Sequence, residues 1–316
     1  MIYSTELDKI KVQKGKEELK MRFEKALLKN STDVVNLINN KEISFSTFFI
    51  LIPILKKYNM FNKLNLRNKI AQKIYDECFS KVVPKVTYTR QNEIYVLKWI
   101  VNSASYDDGI DDDFDKIVDY AFAKLLDENS EPEVIENAVN LAFIRNSKNE
   151  FNHDLIWAIF RTGNPDALKA IAKHLKSNNR KEKEFTKTLL ENAMDDGVDD
   201  DNRFDKIDEW IEENKPYLNF TGNSYNYATS PRFCEIDTKS KYMGRNKKES
   251  GFSMNIPQTQ IQLENIKCFK KLDYKTQAKL SRYSKFLHDT DIEKWNRWQK
   301  QSLRKQVETV YGIGEV

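Results

Sequence analysis

Glycine and proline are scarce in this sequence, at nine and seven in 316 residues, fewer than half of what average usages of about 7% and 5% would supply. Tight hairpin turns and phosphate-cradling loops draw on those residues, so many-stranded β folds and dinucleotide-binding architectures are disfavoured. Cys78, Cys234 and Cys268 stand far apart without a CxxC pair. That excludes a disulfide framework and a cysteine zinc site, and points to a reducing compartment. Of His153, His174 and His288, neither His153, at a predicted helix start, nor His174, on a Lys-rich helix exterior, has a His or Cys at ligand spacing, and both read as solvated or capping residues. The motifs G-x-S-x-G, H-E-x-x-H, G-x-G-x-x-G and G-x-x-x-x-G-K-[ST] do not occur, so no catalytic residue is named, no cofactor is implied, and the chain reads as non-enzymatic. Long hydrophobic runs are missing too. The longest, Phe48 to Leu55, contains Pro53 and falls far short of the roughly 20 residues that cross a bilayer. The first twenty residues carry acidic side chains and no apolar segment, which argues against a secretory leader. A soluble, cytoplasmic protein without a membrane partner is expected.

Charge and helical periodicity are abundant. Charged residues make up 32% of the chain, as suits long helices with few turns. Ser130 and Glu133 form a capping-box pattern ahead of Ile135, Ala138, Val139 and Ala142, which fall at i, i+3, i+4 and i+7. Another helix carries Leu155, Ile156, Ile159 and Phe160 and closes at Gly163. Asn164 and Pro165 then open a third, with Leu168, Ile171, Ala172 and Leu175 on one face. Comparable one-sided segments pair residues 46–58 with 65–81, 92–103 with 112–126, and 181–194 with 202–214. A short amphipathic hairpin cannot hide its apolar face alone, so consecutive hairpins are expected to stack.

One internal repeat is visible. The stretch from Asp107 to Ile117, DDGIDDDFDKI, recurs 88 residues later from Asp195 to Ile207 as DDGVDDDNRFDKI. Two units of about 44 residues match the period of HEAT and armadillo repeats. Over residues 45–214 the chain therefore resembles HEAT/armadillo-like α-helical repeat proteins. The resemblance is one of architecture and carries no activity. It implies an all-α fold: a short, right-handed, HEAT-like α-solenoid over 45–215, preceded by a helical segment at 1–44.

The composition changes at Pro216. Residues 216–262 lose helical periodicity and read as an extended arm, a small β element or a long ordered loop. Residues 263–316 return to helix, with Asp273 capping one segment, and Thr290 with Glu293 capping another that carries Ile292, Trp295, Trp298 and Leu303. These two are expected to form a closing hairpin. Lys and Arg number 34 against 38 acidic residues over 1–215, and 18 against 10 over 216–316, so the halves carry about −4 and +8.

The candidate partner-binding residues lie in that basic, aromatic third. They are Tyr225, Tyr227, Arg232, Phe233, Lys239, Lys241, Tyr242, Arg245, Lys247 and Lys248 in the arm, with Trp295 and Trp298 near the end. Cations alternating with rings suit a protein interface, stacked bases on neutralised phosphates, or packing of the arm on its own chain. The paired acidic loops offer weak metal candidates in Asp107, Asp108, Asp111, Asp195, Asp196 and Asp199, but neither copy has the spacing of a calcium loop. The simpler reading ends one helix at Gly109 or Gly197 and sets aspartates against the positive start of the next. The sequence thus points first to a non-enzymatic scaffold or adaptor for a protein partner or second copy. Nucleic-acid binding by the arm and C-terminal helices is the alternative, with the slightly acidic helical region counting against it.

Overall fold

The computed structural model describes residues 5–80, 82–107, 110–128, 132–191, 206–245 and 259–312. Among them the chain is predominantly helical, with one two-stranded sheet, as the shortage of glycine and proline implies. It divides into two compact units, Met1–Ala142 and Phe143–Val316.

The N-terminal unit holds α1 (Glu6–Lys29), α2 (Ser31–Ile38), α3 (Phe45–Lys57), α4 (Leu66–Phe79), α5 (Arg90–Asp107) and α6 (Asp112–Glu128). Short polar side chains start the helices: Thr5, Asn30, Ser44 and Asn65 each accept a first-turn N–H. Asp111 accepts the N–H of Phe114 at 3.0 Å, so this acidic-loop residue starts α6 as its helix-capping reading requires. Helix α1 is interrupted at Gly15, where φ is +84° and ψ 173°.

Residues 92–103 and 112–126 do form a packed helical pair, α5 on α6. The segments expected to pair upstream also meet, with Phe49 of α3 6.0 Å from Tyr75 of α4 and Lys56 paired with Asp76, but α3 packs on α1 and α5 as well, and α4 on α5 and α6. The reason lies in α3 itself, of which ten of thirteen residues are buried. A helix apolar on nearly every face needs neighbours all round and cannot serve as half of a one-sided hairpin. Its Phe45 meets Trp99 edge-on at 5.3 Å, and Phe49 meets Phe114 at 5.2 Å.

Two polar networks lie within this unit. Asp8, 1% exposed, accepts from the backbone N–H of Ser44 at 3.2 Å and from the hydroxyls of Ser44 and Thr47, both at 2.6 Å. Three residues on, Lys11 donates to Ser46 Oγ at 2.6 Å. The second network joins α4, α5 and α6. Glu77 accepts from Lys73 and from the Tyr120 hydroxyl, and Lys124 lies 3.1 Å from Glu93 and 3.5 Å from Glu77. Burial alone would raise the Glu77 carboxyl, but Lys73, Tyr120 and Lys124 together hold it below its ordinary 4.5. A depressed carboxylate stabilises the fold above its unfolded pKa and loses that contribution as pH falls through the folded value. Urea midpoints are therefore expected to decline below about pH 4.5, and Glu77→Gln is expected to flatten part of that decline. Parallel pH curves for wild type and variant would contradict it.

The helix α7 (Pro132–Lys148) contains the division between the units. Its expected apolar face is buried, with Ile135, Ala138, Val139 and Ala142 at most 1% exposed. Ser130, the expected cap, lies outside the described residues, as do Gly109 and Gly197. The C-terminal unit continues with α8 (His153–Arg161), α9 (Asp166–Ala172), α10 (Arg180–Glu191), α11 (Ile207–Asn214), β1 (Leu218–Phe220), β2 (Cys234–Ile236), α12 (Thr238–Tyr242), α13 (Gln260–Phe269), α14 (Tyr274–Thr290), α15 (Ile292–Gln299) and α16 (Leu303–Gly312). Of the three forms expected after Pro216, the small β element is present over 216–245: β1 and β2 pair antiparallel, Leu218 opposite Ile236.

The two helices expected to close the chain, α14 and α15, pack on each other, within a segment of four helices among the described residues. A capping box of Thr259 and Gln262 opens α13. Asn265 then separates α15 from α16, donating to Gln301 O and accepting the N–H of Leu303, so Leu303 begins a new helix. Asp273 caps α14 as expected. The cap of α15 is Asp291 and not Thr290, whose hydroxyl is spent on Phe286 O within α14.

Candidate interaction surface

Tyr225, Tyr227, Arg232 and Phe233 belong to the loop joining β1 to β2. Phe233 enters the core, 1% exposed, and stacks on Phe160 of α8 at 4.1 Å with the rings 2° from parallel. Tyr225 stands against Phe233 at 5.6 Å and stacks on His153 at 4.5 Å. His153 in turn lies 5.2 Å from Phe151. Five rings thus run in sequence from the buried Phe160 to Phe151, which is 58% exposed. Burial raises the Tyr225 phenol above its ordinary value, so that hydroxyl stays neutral. Tyr227, two residues on in a turn where Ser224 O accepts from the N–H groups of Tyr227 and Ala228, is 89% exposed. On α8, the Arg161 guanidinium covers Trp157 at 4.7 Å.

The other candidates are distributed differently. Tyr242 is fully buried, stacked on Phe269 at 4.5 Å, with its hydroxyl donating to Gln306 Oε1 at 2.7 Å. Trp298, 4% exposed, meets Tyr242 edge-on. Lys241 is 3% exposed and donates to Glu213 at 2.5 Å and to Asn214 at 2.9 Å. Phe233, Lys241, Tyr242 and Trp298 therefore serve the unit's own interior and present no surface to a partner. Trp295 is half-buried, its Nε1–H donating to Ser284 Oγ. Arg232 is exposed and lies 5.9 Å from the Tyr274 ring, while Lys239 and Arg245 are exposed. Lys247 and Lys248 lie outside the described residues, as do Asp108, Asp195, Asp196 and Asp199; of Asp107 only the backbone is described.

Phe151 and His153 are the members of the surface that sequence reasoning passed over. His153 was read as solvated or capping. It heads α8, and its partner Tyr225 is 72 positions away in the chain, beyond the reach of any local pattern. His174 also departs from its expected place on a helix exterior: it is half-buried and lies flat on Phe143 at 3.7 Å. It lies in a 3-10 turn, Lys173–Lys176, that follows directly on α9.

No group of three His, Cys, Asp or Glu side chains suited to a metal occurs among the described residues. The thiols of Cys78 and Cys234 are pushed up by burial to about 11 and about 12, which makes both poor nucleophiles. No helix among the described residues is long and apolar enough to cross a membrane. Comparison with known proteins returns no match to the chain among family models, curated proteins or solved structures.

Proposed function

We propose that this protein is a non-enzymatic scaffold or adaptor that engages a protein partner through the aromatic surface of Phe151, His153, Tyr225 and Tyr227. The supporting observation is that Phe151, at the outer end of the ring ladder, and Tyr227, in the turn after Tyr225, are 58% and 89% exposed. Rigid rings lose little freedom on binding, and tyrosine is enriched among the residues that dominate protein interfaces. In this reading the protein works in the reducing cytoplasm, consistent with three cysteines that form no disulfide. A HEAT-like stacking of the hairpins over residues 45–215 belongs to the same reading and rests on the 88-residue spacing of the acidic repeat. The element that fits it least is α3, buried on all sides.

The test is affinity capture from the source cells with wild-type protein and a Phe151→Ala, Tyr227→Ala double variant. A specific protein retained by wild type and reduced at least about tenfold with the variant is expected, because truncating a central interface ring costs more than about 1 kcal/mol. Melting should be unchanged. Equal retention by the variant would reject this surface.

A second reading, nucleic-acid binding, is favoured by a different observation. Lys267, Lys270, Lys271 and Lys275 at the α13–α14 turn are all exposed and have no acidic partner within the described residues. Phosphate binding there predicts retention of DNA or RNA that falls steeply between low and moderate salt and is lost when the four lysines are replaced by alanine.

A further inference from the structure

Between α4 and α5 of the N-terminal unit the chain runs from residue 83 to residue 89 without helix, turn or bend. Pro84, Val86 and Tyr88 are half-buried, whereas Val83, Lys85, Thr87 and Thr89 are exposed. That two-residue alternation is the signature of a strand lying with one face on a core. Composition agrees, since Val82, Val83, Val86, Thr87, Tyr88 and Thr89 are of the β-branched and aromatic types that favour strands. The Lys73 ammonium, 5.4 Å from the Tyr88 ring, ties the segment to α4. Yet no backbone N–H or C=O of residues 82–88 has a hydrogen-bond partner among the described residues. Unpaired backbone groups persist in a folded protein where water reaches them. The segment is therefore an open strand edge in a unit built of helices, the arrangement that templates pairing with another strand.

We infer that this edge pairs with the same segment of a second copy of the chain, antiparallel about a twofold axis through Val86. In an extended chain, alternate residues direct their backbone groups to opposite edges. The edge of residues 84, 86 and 88 lacks a donor at Pro84. The other edge, of residues 83, 85, 87 and 89, has an amide at every position, although Thr89 spends its N–H on Asn92 Oδ1 at 3.2 Å and its carbonyl on the Glu93 N–H at 3.2 Å, which leaves residues 85 and 87 to carry the pairing. Pairing along that edge with Val86 facing Val86 sets residue 85 opposite 87 and residue 83 opposite 89, all at hydrogen-bonded positions. Pro84 then falls opposite Tyr88 at a non-hydrogen-bonded position, where its missing N–H costs nothing. This register is centred on the segment, whose midpoint is Val86. Lys85 faces Thr87 and not its own copy, so no like charges oppose each other. A slip that set residue 85 opposite itself would bring two lysines together. The exposed Val82 and Val83, at 82% and 38%, add apolar surface at the ends of the pair.

This inference is independent of the aromatic surface on the other unit. Sedimentation of the full chain from low to high micromolar concentration is expected to show its mass rising from 37.3 kDa toward twice that value. Thr87→Pro, which removes an amide from the pairing edge, should hold it at the single-chain mass with unchanged circular dichroism. Val86→Cys in a Cys268→Ser background should form a disulfide-linked dimer under mild oxidation, since opposed residues at a non-hydrogen-bonded site lie about 4.5 Å apart between Cα atoms. Thr87→Cys in the same background should not. A chain that stays monomeric, a dimer that persists in a folded Thr87→Pro variant, or a Val86→Cys dimer without cross-link would each overturn the inference. Should Thr87→Pro fail to fold, the cysteine pair decides.

Discussion

Asp8→Ala is expected to destabilise the N-terminal unit by about 3–5 kcal/mol, because several buried donors lose their acceptor together at about 1–3 kcal/mol each before any rearrangement. Asp8 is 1% exposed and gathers the Ser44 amide with the hydroxyls of Thr5, Ser44 and Thr47. It therefore joins the first turn of α1 to the first turn of α3, the most deeply buried helix of the unit. Alanine would leave those donors facing a dry gap, with the buried Lys11 still bonded to Ser46 nearby. Native-state hydrogen exchange localises the effect. Protection of amides in α1 and α3 should fall by about two to three orders of magnitude, at about 1.4 kcal/mol per tenfold. A change below threefold would mean that water enters and replaces the carboxylate.

Phe233→Ala should be equally costly to the C-terminal unit, at about 3–5 kcal/mol for a buried aromatic ring with no replacement for its volume. The ring lies flat on Phe160, and the residue directly precedes β2, which pairs with β1. Hydrogen exchange in β1, β2 and α8 should rise together. Tyr225 would lose the ring that backs it, so the surface proposed for partner binding should weaken as well. Tyr227→Ala, in contrast, should change stability by no more than about 0.5 kcal/mol, because its ring is 89% exposed. The two variants separate the buried base of the ring ladder from the exposed turn that follows Tyr225, and equal losses of stability would show that Tyr227 also supports the core.

The helical class was legible because it rests on local signals. Asp273 caps α14 from its own position, and Ile135, Ala138, Val139 and Ala142 form one buried face by spacing alone. What stayed hidden depends on groups far apart in the chain. Lys241 was counted among the cations available to a partner. Nothing near it in sequence shows that Glu213 and Asn214 close over its ammonium. Tyr242 and Trp298 carried the same ambiguity, since an aromatic ring suits an interface and a core equally well. Of the proposed surface, Tyr225 and Tyr227 were visible as aromatics in a polar stretch, whereas His153 and Phe151 entered only through stacking across the unit. The strand-forming valines before α5 were also present in the sequence. They drew no notice because a lone β-forming run among helices has no companion to complete the pattern.

Gly15 interrupts α1 at φ +84° and ψ 173°, and no heavy atom lies within 4 Å of where a β-carbon would sit. Space is therefore not what reserves this position for glycine; handedness is. That region of backbone space is closed to L-residues at a cost of about 1–3 kcal/mol, yet its mirror image is ordinary extended chain. A D-amino acid would be accepted there where its L-counterpart is refused, so the bend in the first helix discriminates by chirality and is indifferent to size.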